Sequence, residues 1–416
     1  MRGIRRAGFA LGMICAAVLM SSCASGGSAA PVDADSAGDV IAEMDPITLR
    51  ASVPFPETGT PGTLLATWTE EVEKRTDGKV TFELYHNASL IPGAESFSGL
   101  ASGLADVGFF AASNQPNELP LANWLNQLTV PMTNLGYPMA NLAGYPASVG
   151  AYMTSEPILE EIRSQNIEPL LYMYSSPFIM VCAEPVATPE DATGKTIRTG
   201  GEPWVSEVEA LGMTNVFLPT PELYEALQRG VIDCAYLAAD NVATLGVTEV
   251  TTATGLVDGG ASSGAQIGFN KDSWDALPAE VQQIMRESAG VAHAAFMRDT
   301  FRVYQAAIEA GQAANHTFTP TEELNAVIHE QRGGMLKELL ASPTSGIDDP
   351  EGIKDQYEAY VTEWVDFVES ELKIDAVDPA TASVDQLIEV YSAGGDDIDW
   401  DTYAEQFEKF LAELGN

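Results

Sequence analysis

The stretch Pro189-Glu-Asp-Ala-Thr-Gly-Lys-Thr-Ile-Arg-Thr-Gly-Gly-Glu-Pro-Trp204 places one arginine at the mouth of a β-to-α turn. Lys195 to Thr199 reads as a short strand, Gly200 and Gly201 as a tight turn, and Trp204 to Leu211 as the next helix, stopped by Gly212. Arg198 then lies at the carboxyl end of a strand, the edge of an open α/β sheet where ligands bind. A guanidinium at that edge, with the amino end of a helix behind it, suits a carboxylate. The structural alternative is an ion pair with Asp191 or Glu202, easily formed in so acidic a chain but worth only about 0.2–1 kcal/mol at a surface.

The same unit recurs elsewhere. Thr48-Leu-Arg50-Ala51 parallels Thr196-Ile-Arg198-Thr199, and Gly103-Leu-Ala-Asp106-Val-Gly-Phe109 parallels Gly230-Val-Ile-Asp233-Cys-Ala-Tyr236. Two similar α/β lobes facing across a cleft is the simplest architecture with this repeat. Within the first lobe, Ile47 to Ser52 reads as a strand. A helix follows with Leu64, Leu65, Trp68 and Val72 on one face, then a half-buried strand through Val80, Phe82 and Leu84. Apolar runs at Leu170 to Tyr174 and Phe178 to Ala183 carry the chain into the second lobe, and a return crossing is expected near Ala265 to Phe269. Lobes joined by two or more strands can hinge. Trp274 to about Thr317 is strongly helical.

Several aromatic residues fall at or near strand ends on the expected cleft side: Phe55, Phe110, Phe178, Trp204 and Tyr236. Each is a candidate pocket wall or a core residue, with Gly200 allowing close approach beside Trp204. Catalytic patterns are poorly supported. Gly194-Lys195-Thr196 ends like a phosphate-binding loop but Pro189 occupies the first glycine position. Gly260-Ala-Ser262-Ser-Gly264 has nucleophile-elbow spacing, yet a strand follows where a helix is needed. His86, His293, His316 and His329 lie in unrelated settings, and no His/Cys spacing suggests zinc. No catalytic residue, metal or cofactor is expected.

Bulk properties narrow the class further. The 416 residues hold 60 acidic and 20 basic side chains, a net charge of −40. Such a surface repels nucleic acid; the acid serves solubility and suits a salty medium. The first 22 residues form an export signal, with Arg2, Arg5 and Arg6 before an apolar run from Ala7 to Met20 that is too short to span a membrane. Leu19-Met-Ser-Ser-Cys23 resembles a bacterial lipobox, which makes Cys23 the expected lipidation site, ordinary cleavage being the alternative. Residues 23–45 read as a flexible tether. Cys182 and Cys234, in neighbouring strands, either pair as a disulfide outside the cytoplasm or remain separate buried thiols. Residues 348–416 hold 20 acids and three lysines. Helical apolar faces (Tyr357, Trp364, Val368; Tyr403, Phe407, Leu411) nevertheless predict that this segment docks.

From about Ile47 to Ser342 the chain resembles the solute-binding proteins of tripartite ATP-independent periplasmic (TRAP) transporters. The resemblance rests on Val72-Glu-Lys-Arg-Thr-Asp-Gly-Lys-Val80, Asp191-Ala-Thr-Gly-Lys-Thr-Ile-Arg198, Glu222 to Asp233, and Phe269-Asn-Lys-Asp-Ser-Trp-Asp-Ala-Leu-Pro278. It implies an α/β, two-lobed periplasmic-binding-protein-like fold, a long helix beneath both lobes, and capture of an organic acid by lobe closure for delivery to a TRAP membrane permease. The family's ligand-clamping arginine maps onto Arg198. Where the family often has Asp-Gly-x-Glu-Asn-Pro, this chain has Asp233-Cys-Ala-Tyr-Leu-Ala238, so Leu237 replaces an asparagine contact. Phe178 lies near the place of a second arginine in some members. Both changes favour a monocarboxylate or aromatic acid over a dicarboxylate.

The expected organisation is a signal peptide (1–22), a lipid-anchored tether (23–45), lobe I (46–175 with 262–300), lobe II (176–261 with 301–342) and an acidic helical extension (343–416). The protein is expected to be a monomer outside the cytoplasm, held to the bacterial membrane by its lipid. A receptor for another transporter or a sensor, and an extracytoplasmic enzyme, are the alternative readings.

Overall fold

Asp233 and Asp106 fix the two sheets in the same way. In the computed structural model, which describes residues 34–130, 134–175, 178–201, 204–259, 262–378 and 381–414, strands Ile47–Ser52 (β1), Val80–Tyr85 (β2), Val107–Ala111 (β3), Ile167–Ser175 (β4) and Ser262–Asn270 (β10) form one sheet. Its order is β2-β1-β3-β10-β4, with β10 antiparallel to both neighbours. The second sheet contains Ile179–Cys182 (β5), Thr196–Arg198 (β6), Thr214–Asn215 (β7), Cys234–Leu237 (β8), Ala253–Gly255 (β9) and Thr317–Thr319 (β11). Its order is β11-β9-β5-β8-β6-β7.

The chain passes from the first sheet to the second between β4 and β5, returns between β9 and β10, and reaches β11 through the helix Ala279–Ala313. That helix of 35 residues runs unbroken through positions 300 and 301. Its buried face, including Met285, Phe296, Phe301 and Tyr304, is the common floor of the core.

The repeat is present but shifted. Asp106 accepts from the backbone N of Arg50 (2.8 Å) and its own N–H donates to the Arg50 carbonyl (2.9 Å). Asp233 does the same with Thr196, at 2.7 and 2.9 Å. Arg50 thus corresponds to Thr196, and Arg198 to Ser52: Ser52 pairs with Gly108, and Arg198 with Ala235. The matching Thr-x-Arg letters align the wrong residues because register is set by the aspartate bonds. Arg50 is occupied structurally, with Nε 3.5 Å from Asp106 Oδ2 and Nη2 donating to the Gly103 carbonyl.

The expected tether differs in its second half. Ala34–Glu43 is a helix, Ile41 is buried, and Lys79 Nζ donates to the carbonyls of Ala42 and Met44. Val40, Ile41 and Met44 supply apolar positions that a reading of composition alone passes over. The export signal, Cys23 and the first part of the tether lie outside the described residues.

The acidic extension docks through helices Pro350–Phe367, Val384–Ser392 and Trp400–Leu414. Trp364, Tyr403 and Phe407 are fully buried, and Trp364 packs on Tyr403, Phe407 and Phe410 at ring separations near 5.5 Å. The charged side chains occupy the outer faces, as amphipathic spacing requires.

Candidate functional site

The described residues between Lys195 and Gly212 fold as their spacing predicts. Thr196–Arg198 is a strand, Gly201 has φ 118°, Trp204–Ala210 is a helix, and Gly212 at φ 79° ends it. A left-handed backbone at these two positions is what glycine permits without strain.

Arg198 is half-buried at the carboxyl end of β6. Its Nε donates to the Leu218 carbonyl and its Nη2 to Thr220 Oγ1, both at 3.1 Å. Two of the five guanidinium N–H groups are thereby used, and the side chain has no carboxylate partner among the described residues. Burial pulls its pKa below the usual arginine value, with no anion among the described residues opposing the effect. Asp191 is engaged instead with the backbone N–H groups of Ala187 and Thr188; Glu202 lies outside the described residues.

Beside this turn, Phe178 stacks on Trp204 at 4.1 Å and 8°, and Tyr236 meets Phe178 edge-on at 5.5 Å. A Cβ at Gly200 would sit 3.7 Å from both Phe178 and Trp204. Four of the singled-out residues therefore form one cluster. Tyr236 is fully buried within it and donates its hydroxyl to Glu207 Oε2 at 3.2 Å. Phe55 and Phe110 belong to the other lobe, and they separate. Phe55 meets Phe109 edge-on at 5.9 Å, whereas Phe110 faces the opposite side of β3 and packs in the core on Phe97. Successive strand residues alternate between faces. Phe109 is thus the aromatic that belongs with Phe55.

A cavity of 240 Å³ opens between the sheets. The end of β4 (Met173 to Ser175), the start of helix Thr60–Arg75, and the start of the helix Ala239–Thr244 that follows β8 (Ala238 to Asn241) line it. Phe296, Thr300 and Val303 of the long helix form its floor. Arg198 and the aromatic cluster do not line this space; they lie on neighbouring strands of the second sheet, β6 being adjacent to β8. Asp240 and Asn241, which the sequence reading did not select, do. Their signal was their place just past a strand's carboxyl end. A larger cavity of 460 Å³ lies elsewhere, between Ala151 to Pro157 and the 346–356 segment.

Arg332 was also missed. It is completely buried on helix Glu322–Ala341, with Nε 2.9 Å from Glu207 Oε1, Nη1 2.7 Å from Asn134 Oδ1, and Nη2 on the Asp258 carbonyl. Asp258 Oδ2 in turn lies 2.6 Å from His329 Nε2. Burial alone would lower the Arg332 pKa; Glu207 and Asp258 outweigh it and the net shift is upward. This cation is neutralised within the protein, which sets it apart from Arg198.

Cys182 and Cys234 occupy directly paired positions of β5 and β8 and form a disulfide. Ser262 lies at the start of strand β10, without a following elbow helix. His293 and His316 are buried, and no group of three or more His, Cys, Asp or Glu among the described residues is arranged to hold a metal. No helix among those residues is long and apolar enough to cross a membrane.

Residues 53–332 match the DctP family, described as bacterial extracellular solute-binding protein, family 7. The C4-dicarboxylate-binding periplasmic protein DctP of Rhodobacter capsulatus is 28% identical over 290 residues, covering 68% of this chain and 84% of the relative. A solute-binding protein of Albidiferax ferrireducens is 28% identical over 46% of this chain and 54% of its own length. The ectoine-binding periplasmic protein TeaA of Halomonas elongata is 28% identical over 46% and 56% respectively. The chain thus spans little more than half the length of two of these relatives. Among solved structures, a TRAP periplasmic solute-binding protein from Desulfovibrio salexigens has a TM-score of 0.65 at 22% identity, covering 79% of this chain and 98% of that one. One from Bordetella bronchiseptica with bound mandelate scores 0.63 at 22% identity over 76% and 99%. A marine metagenome protein holding co-purified pyroglutamate scores 0.61 at 17% identity over 76% and 100%. These likenesses establish the two-lobed fold. The chain belongs to the DctP family of bacterial extracellular solute-binding proteins.

Proposed function

We propose that this protein captures a small organic acid between its lobes, holds the acid's carboxylate on Arg198, and delivers it to a TRAP membrane permease. One observation carries the reading: in a chain with three acids for every base, Arg198 is partly desolvated at the ligand edge of its sheet yet has no acidic partner among the described residues. Leu218 and Thr220 orient the guanidinium, leaving N–H groups for a ligand. The stacked Phe178 and Trp204 provide an adjacent apolar wall suited to a monocarboxylate or an aromatic acid. Mandelate and pyroglutamate in the structural neighbours are small carboxylates of this kind, which supports the class.

In this reading the two sheets are the cores of lobes that close on the captured acid. The protein works as a monomer without enzymatic turnover, and Cys23, after removal of residues 1–22, carries the lipid that holds it at the outer face of the membrane. The principal test is calorimetric titration of mandelate, pyroglutamate and any copurifying acid against wild type and Arg198→Ala. Loss of roughly 2–5 kcal/mol of binding with an unchanged circular dichroism spectrum is expected. Equal affinity in the two proteins removes the anchor from the proposal.

A further inference from the structure

We infer that Asp240 is the second recognition group of the cleft and that the captured solute is a zwitterion, a small carboxylate that also carries a cationic nitrogen. The inference rests on the reading of Arg198 as carboxylate anchor and narrows the class of solute.

Among the described residues, Asp240 is the one charged side chain lining the 240 Å³ interlobe cavity. The remaining lining is apolar or neutral: Met173, Phe296 and Val303 with Thr60, Thr300 and Asn241. The Asp240 carboxylate makes no ion pair and no side-chain hydrogen bond among the described residues. Most of the 60 acids in this chain need no partner because water solvates them. Asp240 is different, since burial raises its pKa and the backbone N–H groups of Asn241 and Asp240 itself only partly counter that effect. An acid in the first turn of a helix is ordinarily explained by the helix dipole. Here the helix Ala239–Thr244 is only six residues long, and the dipole does not account for a desolvated acid on the cavity wall. A partly desolvated anion in a ligand space is compensated when the ligand brings the opposite charge. Asn241, on the same rim and with an unengaged side-chain amide among the described residues, adds a neutral contact. The same carboxylate repels a second acid group, so a dicarboxylate fits poorly.

The test uses the full chain and matched pairs that differ in the cationic nitrogen: proline against cyclopentanecarboxylate, phenylalanine against 3-phenylpropionate, and 4-aminobutyrate against butyrate, with succinate as the dicarboxylate. Calorimetry at neutral pH is expected to show at least one zwitterion binding ten-fold or more tighter than its partner, and Asp240→Asn to erase that advantage while leaving the melting temperature in place. Mass spectrometry of the copurifying solute is expected to find a cationic nitrogen. Tighter binding of the deaminated acids or succinate, failure of all three zwitterions to bind, a preference that survives Asp240→Asn, or a copurifying acid without a cationic nitrogen overturns the inference. Arg198→Ala separates the two readings. It should weaken both members of a pair together, whereas unchanged binding of both removes the anchor and leaves the Asp240-dependent preference to stand or fall on its own titration.

Discussion

The carboxylate of Asp233 receives two hydrogen bonds from Thr196, from the backbone N at 2.7 Å and from Oγ1 at 2.8 Å. They tie the entry of β8 to β6 two residues before Arg198. The backbone bond is the main cause of a lowered Asp233 pKa, opposed by desolvation and assisted by the threonine hydroxyl. Asp233→Ala should cost about 2 kcal/mol in urea unfolding at neutral pH, as expected for hydrogen bonds to a charged acceptor. Because the folded pKa is depressed, this stability is present above the ordinary aspartate range and is lost as pH falls through the folded value. Unfolding curves of wild type and variant should therefore converge in acid; a constant gap between them would assign the effect to packing.

The relation between these residues also marks how far the sequence was legible. Strands and turns around Arg198 follow from glycine positions and short apolar runs, which are local signals, and helix 204–210 ends at Gly212 as read. The repeat was recognisable, but its register was not: Ser52, not Arg50, stands where Arg198 stands, because long-range aspartate bonds fix the strand pairing. Tyr357, Trp364 and Phe407 announced that the extension would dock, while their partners, Ser148 for Tyr357 and His293 of the long helix for Phe407, could not be read from spacing. The Arg332 cluster gathers Asn134, Glu207 and Asp258 from distant segments. Its local trace was a polar row, Asn325, His329 and Arg332, on the helix face that also carries Leu324 and Ile328.

Arg332→Met leaves Glu207 and Asp258 buried without their cation. Removing one partner of a buried ion pair costs about 3–5 kcal/mol. The denaturation midpoint of Arg332→Met should fall accordingly, and adding Glu207→Gln should recover part of the loss by removing one stranded charge. If the double variant is no more stable than the single one, the penalty comes from lost packing rather than from charge.

The Cys182–Cys234 disulfide closes a loop with a sequence separation of 52 residues. By loop-closure entropy such a bridge contributes about 4 kcal/mol. The bond joins neighbouring strands that are also held by their own ladder of backbone pairing. Reduction, or replacement of both cysteines by alanine, should therefore lower the melting temperature while preserving the native far-ultraviolet spectrum. A melting temperature indifferent to reductant would show that strand pairing already imposes the constraint in the unfolded ensemble.

His293 connects acid sensitivity to the docked extension. Its ring is fully buried, stacks on Phe407 at 4.8 Å, and bonds through Nδ1 to the Tyr145 hydroxyl, which donates to the Tyr172 carbonyl at 2.7 Å. Burial holds its pKa down at about 3. In the unfolded chain the imidazole takes up a proton near pH 6.5, its ordinary value. Between these two pH values the unfolded state binds more protons, so stability falls as pH falls, by up to about 1.4 kcal/mol per pH unit. From pH 7 to pH 5 this group should remove about 2 kcal/mol. His293→Gln, which cannot charge, should be less stable at pH 7 yet lose less on acidification. Hydrogen exchange in residues 400–414 should report the same difference between the proteins. Parallel stability profiles for wild type and variant from pH 7 to pH 5 would assign the acid response to the carboxylates alone.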